Sequence, residues 1–352
     1  MTVLGRLLSA AGERVSAAGY AAGWHAVRVV PEPASSWLFG QAADLASWRA
    51  GGSVRQLRAN LVRVTGGKLS EQELDALVRA AMRSYARYWL ETFRLPSMDV
   101  STTLARVSTD GAQHLQAAAE AGRGVVVALP HSGNWDVAGL WLVQQGHGFS
   151  TVAERLKPES LYDKFVAYRE SLGMRVLPLT GGERPPMQVL AERLQAGEVI
   201  CLVAERDLSR HGVQVDFFGE PTRMPAGPAL LAATTGAALL PVHLHYTETG
   251  WSQWIGPPVD LGEGRLRDRV QRGTQSLADA FASRIAEYPA DWHMLQRLWL
   301  ADLDQDRLRA TEFAAVTDIE PAADADLVAE SDLVTDRTQE SVVGPHPETE
   351  TA

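Results

Sequence analysis

The stretch "VVVALPHSGNWDVAGLW", residues 125–141, decides how this chain reads. Val125 to Leu129 is a short β-branched apolar run, the pattern of a strand buried on both faces. Pro130 favours an extended residue before it and donates nothing to a ladder. Gly133 permits a sharp turn and Asn134 is a good N-cap. Trp135-Asp136-Val137 reads as the first turn of a helix whose positive end favours a carboxylate at Asp136. On one continuous helix, residues five apart stand about 140° apart, so His131 and Asp136 meet only if a turn separates them. Imidazole is the side chain suited to moving a proton at neutral pH, and a carboxylate on its second nitrogen fixes the tautomer and stabilises the imidazolium. His131 and Asp136 therefore read as a base and its orienting group, or else as a half-buried histidine that only satisfies its loop. No Gly-x-Ser-x-Gly elbow occurs and Ser132 has no oxyanion motif around it, so a substrate hydroxyl is the better nucleophile. That points to acyl transfer onto an alcohol without an acyl-enzyme.

Apolar runs alternate with helical patterns on either side of this stretch. "GVVVALP", "DVAGLWLVQQG", "FSTVA", "PESLYDKFVAYRESLG", "MRVLPLT", "PPMQVLAERLQAG" and "EVICLVAE" follow one another, then a loop, "PAGPALLAATTG" and "ALLPVHLHY". Such alternation implies an α/β fold, a central mostly parallel sheet flanked by helices with right-handed crossovers. Ligand sites in such sheets gather at the carboxyl ends of the strands. His131 follows one strand, Glu154-Arg155 another and Glu205-Arg206-Asp207 a third. Residues 1–100 read as a helical layer ahead of an α/β core over 101–310, the two forming one domain. Its clearest helix is "LSEQELDALVRAAMRSYARYWLETFRLP", where Ser70 and Glu73 have capping-box spacing and Pro96 stops the helix.

Of the 352 residues, 33 are Lys or Arg and 43 Asp or Glu, a net charge of −10. Residues 311–352 hold eleven acids and one Arg, which accounts for all of it. That tail lacks periodicity and is expected to be disordered. The first hundred residues carry twelve Lys/Arg against eight Asp/Glu, a +4 that suits an anionic membrane surface and falls short of a nucleic-acid footprint. The start is broken by Arg6, Glu13 and Arg14, which argues against a signal peptide. Met224 to Thr247 is uncharged, but its prolines and glycines make it a helix ending at Gly236 followed by a strand, not a membrane span. The single Cys201 excludes an intramolecular disulfide and reads as an inert thiol within a strand.

"HSGNWD" resembles the His-x4-Asp motif of glycerolipid acyltransferases, and its setting is similar to the bacterial family of lipid A lauroyl and myristoyl transferases. "AERDL", "VDFFGEPTRMPAGPALLA" and "YPADWHMLQRLW" extend the resemblance over about residues 1–305. Within that family the surroundings look most like an actinobacterial branch that acylates mannosylated phosphatidylinositol. The resemblance implies a glycerolipid acyltransferase fold, acyl-CoA as donor of a palmitoyl-type chain and no cofactor or metal. It also implies a mannose hydroxyl as acceptor, or a lipid A-type acceptor in other branches, and peripheral attachment to the cytoplasmic face of the inner membrane. Carried onto this chain, it makes His131 the base, Asp136 its orienting group and Glu205 a carboxylate beside the acceptor sugar. Glu154 and Arg169 match polar groups near donor and acceptor, or form a structural pair. Arg223 matches a phosphate contact, or is a solvated surface charge.

Two further groups read in two ways. His243 and His245 share one strand face, and with Asp216 would suggest a metal site; packing, or lining of the site, is the alternative. A metal-dependent phosphoesterase built on these histidines, His131 and Asp136 is the rival to acyl transfer. Trp24, Trp37 and Trp48 suit a bilayer interface, and Val3, Leu4, Leu7, Leu8 and Ala11 form one face of an N-terminal helix that lies on a membrane or packs on the domain.

Overall fold

The computed structural model describes residues 27–153, 159–207 and 211–303. The expectations for the amphipathic start, Trp24, Glu154 and the acidic tail lie outside them. The N-terminal layer is helical, with α1 (Glu32–Arg49), α2 (Gly52–Val64) and α3 (Glu71–Arg94). The capping box forms in full: the Ser70 hydroxyl accepts the Glu73 N–H, and the Glu73 carboxylate accepts the Ser70 N–H at 2.8 Å. Helix α3 ends at Arg94 and passes into a 3₁₀ turn containing Pro96, because proline at this point supplies no helix donor.

After α4 (Val100–Leu104), strands and helices follow in the order β1 (Val107–Asp110), α5 (Ala112–Glu120), β2 (Val125–Leu129), α6 (Trp135–Gln144), β3 (Phe149–Ala153), α7 (Glu159–Ser171), β4 (Arg175–Pro178), α8 (Pro186–Gln195) and β5 (Val199–Val203). Strands β6 (Val213–Phe217) and β7 (Glu220–Met224), helix α9 (Gly227–Thr235), strands β8 (Ala238–Tyr246) and β9 (Trp251–Ile255) and helix α10 (Leu266–Glu287) complete it. Seven strands form one sheet in the order β1-β9-β8-β2-β5-β3-β4, parallel except between β8 and β9.

All five residues of β2 are buried, and they serve two cores. Val126 and Ala128 pack on one face of the sheet with Leu190, Phe281 and Trp292, while Val125, Val127 and Leu129 pack on the other with Leu142 and Phe149. This double burial is why the run lacks polar alternation. The residues 212–224, read as loop, instead form the antiparallel hairpin β6-β7. Val213, Val215 and Phe217 do alternate, but Pro221 lies in the second strand and Phe218 turns the chain at φ +56°, so the run carries no standard turn dipeptide. Met224 to Thr247 is helix, a Gly236 C-cap at φ +78° and strand β8. No helix among the described residues is long and apolar enough to cross a membrane.

Candidate active site

Strands β2 and β5 run side by side with Leu129 paired to Val203. Two residues beyond each of these stand His131 and Glu205, so the register alone brings the two side chains together. The Glu205 carboxylate Oε1 accepts the His131 ring Nδ1–H at 2.7 Å and the His131 backbone N–H at 2.6 Å. Glu205 is wholly buried, whereas the His131 side chain is 42% exposed. Burial presses the His131 pKa down, but the charge and hydrogen bond of Glu205 outweigh it and leave it above the ordinary 6.5. Burial pushes Glu205 up, and His131 more than reverses that, so the carboxyl stays below its usual range. With Nδ1 committed to a carboxylate, Nε2 is the nitrogen left to take a proton.

Asp136 does not orient His131, contrary to the sequence reading. Helix α6 begins at Trp135 and carries Asp136 into the core, where its Oδ1 accepts Arg169 Nε at 2.9 Å and its Oδ2 accepts the Thr92 hydroxyl at 3.4 Å. Asp136 and Arg169 are thus a nearly buried ion pair joining α6 to α7, whereas the pairing of Arg169 with Glu154 considered from the sequence falls on a residue outside the described ones. Arg223 lies on β7, and its carbonyl accepts the N–H of Asp207, two residues beyond Glu205.

The turn at Gly133 and the cap at Asn134 form as the sequence predicts, while the groups that hold them, Glu91, Trp251, Asp291 and His293, were not singled out in the sequence. Asn134 caps α6 by accepting the N–H groups of Asp136 and Val137, and its Nδ2 donates to Glu91 Oε2 at 2.7 Å. The same carboxylate oxygen accepts Trp251 Nε1 at 2.7 Å. The segment 291–293 grips the loop from the far end of the chain: the Gly133 N–H donates to the Asp291 carbonyl at 2.9 Å, and the His293 N–H donates to the His131 carbonyl at 2.7 Å. Gly133 sits at φ +56°, and a Cβ there would stand 2.8 Å from the Leu244 backbone, so glycine is required twice over. Ser84 donates to Asp291 Oδ1 and lies 2.9 Å from His293 Nε2. Burial drops the His293 pKa to about 3. The quoted stretch "YPADWHMLQRLW" was the only signal of this clamp, and its spacing says nothing of where it docks.

An apolar cavity of about 120 Å³ opens on the α6 face of the sheet beside the histidine. Val127 and Leu129 of β2, Cys201 and Val203 of β5, Trp135 and Arg169 contribute to its wall. Burial pushes the Cys201 thiol up, away from nucleophilic thiolate. His243 is buried and His245 stacks on Tyr288 with ring centroids 3.6 Å apart, while Asp216 Oδ1 is taken by the N–H of Gly219 in the hairpin turn. Among the described residues no three His, Cys, Asp or Glu side chains stand together as metal ligands.

The profile of the bacterial lipid A biosynthesis acyltransferase family matches residues 13–301. The phosphatidylinositol mannoside acyltransferase of Mycolicibacterium smegmatis is 57% identical over 307 residues, covering 87% of this chain and 98% of its own length. Proteins of the same name from two strains of Mycobacterium tuberculosis are 56% identical over 291 residues, covering 82% of this chain and 90% of theirs.

Proposed function

The chain belongs to the bacterial lipid A biosynthesis acyltransferase family and is an acyltransferase; from that premise we propose that it moves a palmitoyl-type chain from acyl-CoA to a mannose hydroxyl of a phosphatidylinositol mannoside. His131 Nε2 takes the hydroxyl proton as the oxygen attacks the thioester carbonyl carbon. The new C–O bond forms, the C–S bond breaks, and the imidazolium returns its proton to the departing thiolate. Glu205 holds the ring and stabilises its charged form, which is the contribution expected of a buried carboxylate on Nδ1. The thioester supplies the driving force, so the reaction calls for no cofactor.

The observation that carries this reading is the His131–Glu205 pair beside an apolar cavity, a base next to room for a hydrocarbon chain. The acceptor is inferred from the names of the relatives. Arg169 reaches the cavity wall while paired with Asp136; the family pattern puts it and Glu154 near donor and acceptor and makes Arg223, on β7, a contact to the acceptor phosphate. Trp37, Leu38, Leu45 and Trp48 of α1 are exposed, Trp48 to 80%. At i, i+1, i+8 and i+11 they span an arc of about 100°, opposite the buried Ser35 and Ala43. This face supports peripheral seating on a membrane surface; the cytoplasmic side of the inner membrane is assigned from the family pattern.

Purified protein, palmitoyl-CoA and vesicles carrying mannosylated phosphatidylinositol test the proposal by mass spectrometry. One acyl chain added to the mannose for each CoA released is the expected result. CoA release with no acylated lipid, or acylation of a lipid A-type acceptor in preference, would overturn it.

A further inference from the structure

Trp135, the first residue of α6, stands where the two halves of the site meet. Its indole packs edge-to-face on the His131 imidazole, with centroids 5.7 Å apart and planes at 88°. Tyr88 of α3 backs it at 4.1 Å and 35°. The indole also lines the apolar cavity, whereas neither His131 nor Glu205 does. Trp135 thus joins the cavity wall to the His131 ring, and a hydrocarbon chain in that cavity whose carbonyl carbon meets Nε2 is placed against the indole.

We propose that Trp135 is a positioning residue: it holds the donor thioester against His131 and keeps water from it, and so sets the ratio of acyl transfer to hydrolysis. This rests on the acyl-CoA reading of the site. The physical ground is that the rival to a sugar hydroxyl is bulk water. The His131 side chain is partly open to solvent, so a general base that activates a sugar can activate water equally well. In hydrolysis the water oxygen attacks the same carbonyl carbon, the C–S bond breaks, and the proton goes to the CoA thiolate, giving free acid and thiol. What separates the two outcomes is exclusion of water at the carbonyl. A tryptophan covers on the order of 200 Å², and its packing against the Tyr88 ring restrains it.

The test uses the full chain with palmitoyl-CoA and acceptor vesicles, following CoA release with a thiol reagent and acylated lipid by mass spectrometry. Wild-type protein should release CoA almost only when acceptor is present. Trp135→Ala should lose transfer by on the order of tenfold or more, as for a donor displaced by about 1 Å. Its acceptor-independent CoA release should rise, so that the hydrolysed fraction increases several-fold. A purely structural role would lower the melting temperature and both outputs together. An unchanged ratio in a folded Trp135→Ala protein overturns the proposal. Should that variant fail to fold, Trp135→Leu, apolar but without the ring, carries the same comparison, and an unchanged ratio there is equally fatal. If the wild-type protein itself acylates nothing from acyl-CoA, it is the assignment of the donor that fails.

Discussion

Replacing Glu205 by glutamine should leave the geometry of the site in place while removing the charge that makes His131 a strong base. The amide oxygen can still accept both the ring and backbone N–H groups that Glu205 Oε1 accepts at 2.7 and 2.6 Å. The amide nitrogen would occupy the place of Oε2, a buried atom with no hydrogen-bond partner among the described residues, and an NH₂ there costs about 1–3 kcal/mol of stability. Turnover should fall by on the order of 10² to 10⁴, or about 3–5 kcal/mol of transition-state stabilisation, because the imidazolium formed in the reaction loses its counter-charge. The pH profile separates this from mere damage. His131 must be neutral to act, and Glu205 holds its pKa above 6.5, so the acid limb of wild-type kcat/KM should lie above that value. With the carboxylate gone, the pull of burial remains, and the limb should move to lower pH as the plateau drops. Asp136→Asn is the control: it strips the counter-charge from Arg169 and should destabilise the fold by about 3 kcal/mol, yet leave the limb where it was. A limb that stays put in Glu205→Gln, or shifts in Asp136→Asn, would refute the assignment of Glu205 as the carboxylate that tunes the base.

Three other expectations follow from the same geometry. His131→Ala should cut transfer by on the order of 10² to 10⁴ and lower the melting temperature, since it leaves the buried Glu205 carboxylate without its ring partner; near-normal turnover would remove it from the mechanism. Burial holds His243 and His293 near a pKa of about 3, so the unfolded chain, with histidines near 6.5, takes up protons first and stability should fall as pH drops from about 6.5 toward 3. His243→Phe, which gives up no hydrogen bond because neither ring nitrogen has one among the described residues, should flatten that decline in urea denaturation between pH 7 and 5, and an unaltered slope would contradict it. Changing Trp37 and Trp48 together to serine should weaken co-sedimentation with anionic vesicles without altering the melting temperature, and equal binding would exclude the outer face of α1 as the membrane contact.

The local chemistry of residues 125–141 was open to reading because each step is decided by neighbours. β-branched residues make the strand, Gly133 the turn and Asn134 the cap, and the structure has all three. The partner of His131 was not open in this way. Asp136 is close in sequence, and proximity suggested a pair. The carboxylate that holds the ring lies 74 residues away. It arrives there because β5 sits against β2, opposite β8, in a register that pairs Leu129 with Val203. Strand order is a property of the whole sheet, and a run of buried Val and Ile carries no mark of which run it will pair with. Asp291 and His293 were hidden for the same reason, since they hold the His131 loop through backbone groups that every residue possesses. The hairpin β6-β7 was hidden differently, by a Pro and a Phe in positions where turn chemistry usually shows itself.

The grip of residues 291–293 on the His131 loop has a consequence for a chain emerging from the ribosome. By the time His131 and Glu205 have been synthesised, strands β2 to β5 and the carboxylate are available, but the amide that fixes the His131 carbonyl and the carbonyl that fixes Gly133 belong to a segment made after α10. Contacts this distant along the chain are slow to close. A nascent or prematurely terminated polypeptide lacking that segment should therefore contain every reacting group and still be silent, with activity acquired in the last step of folding.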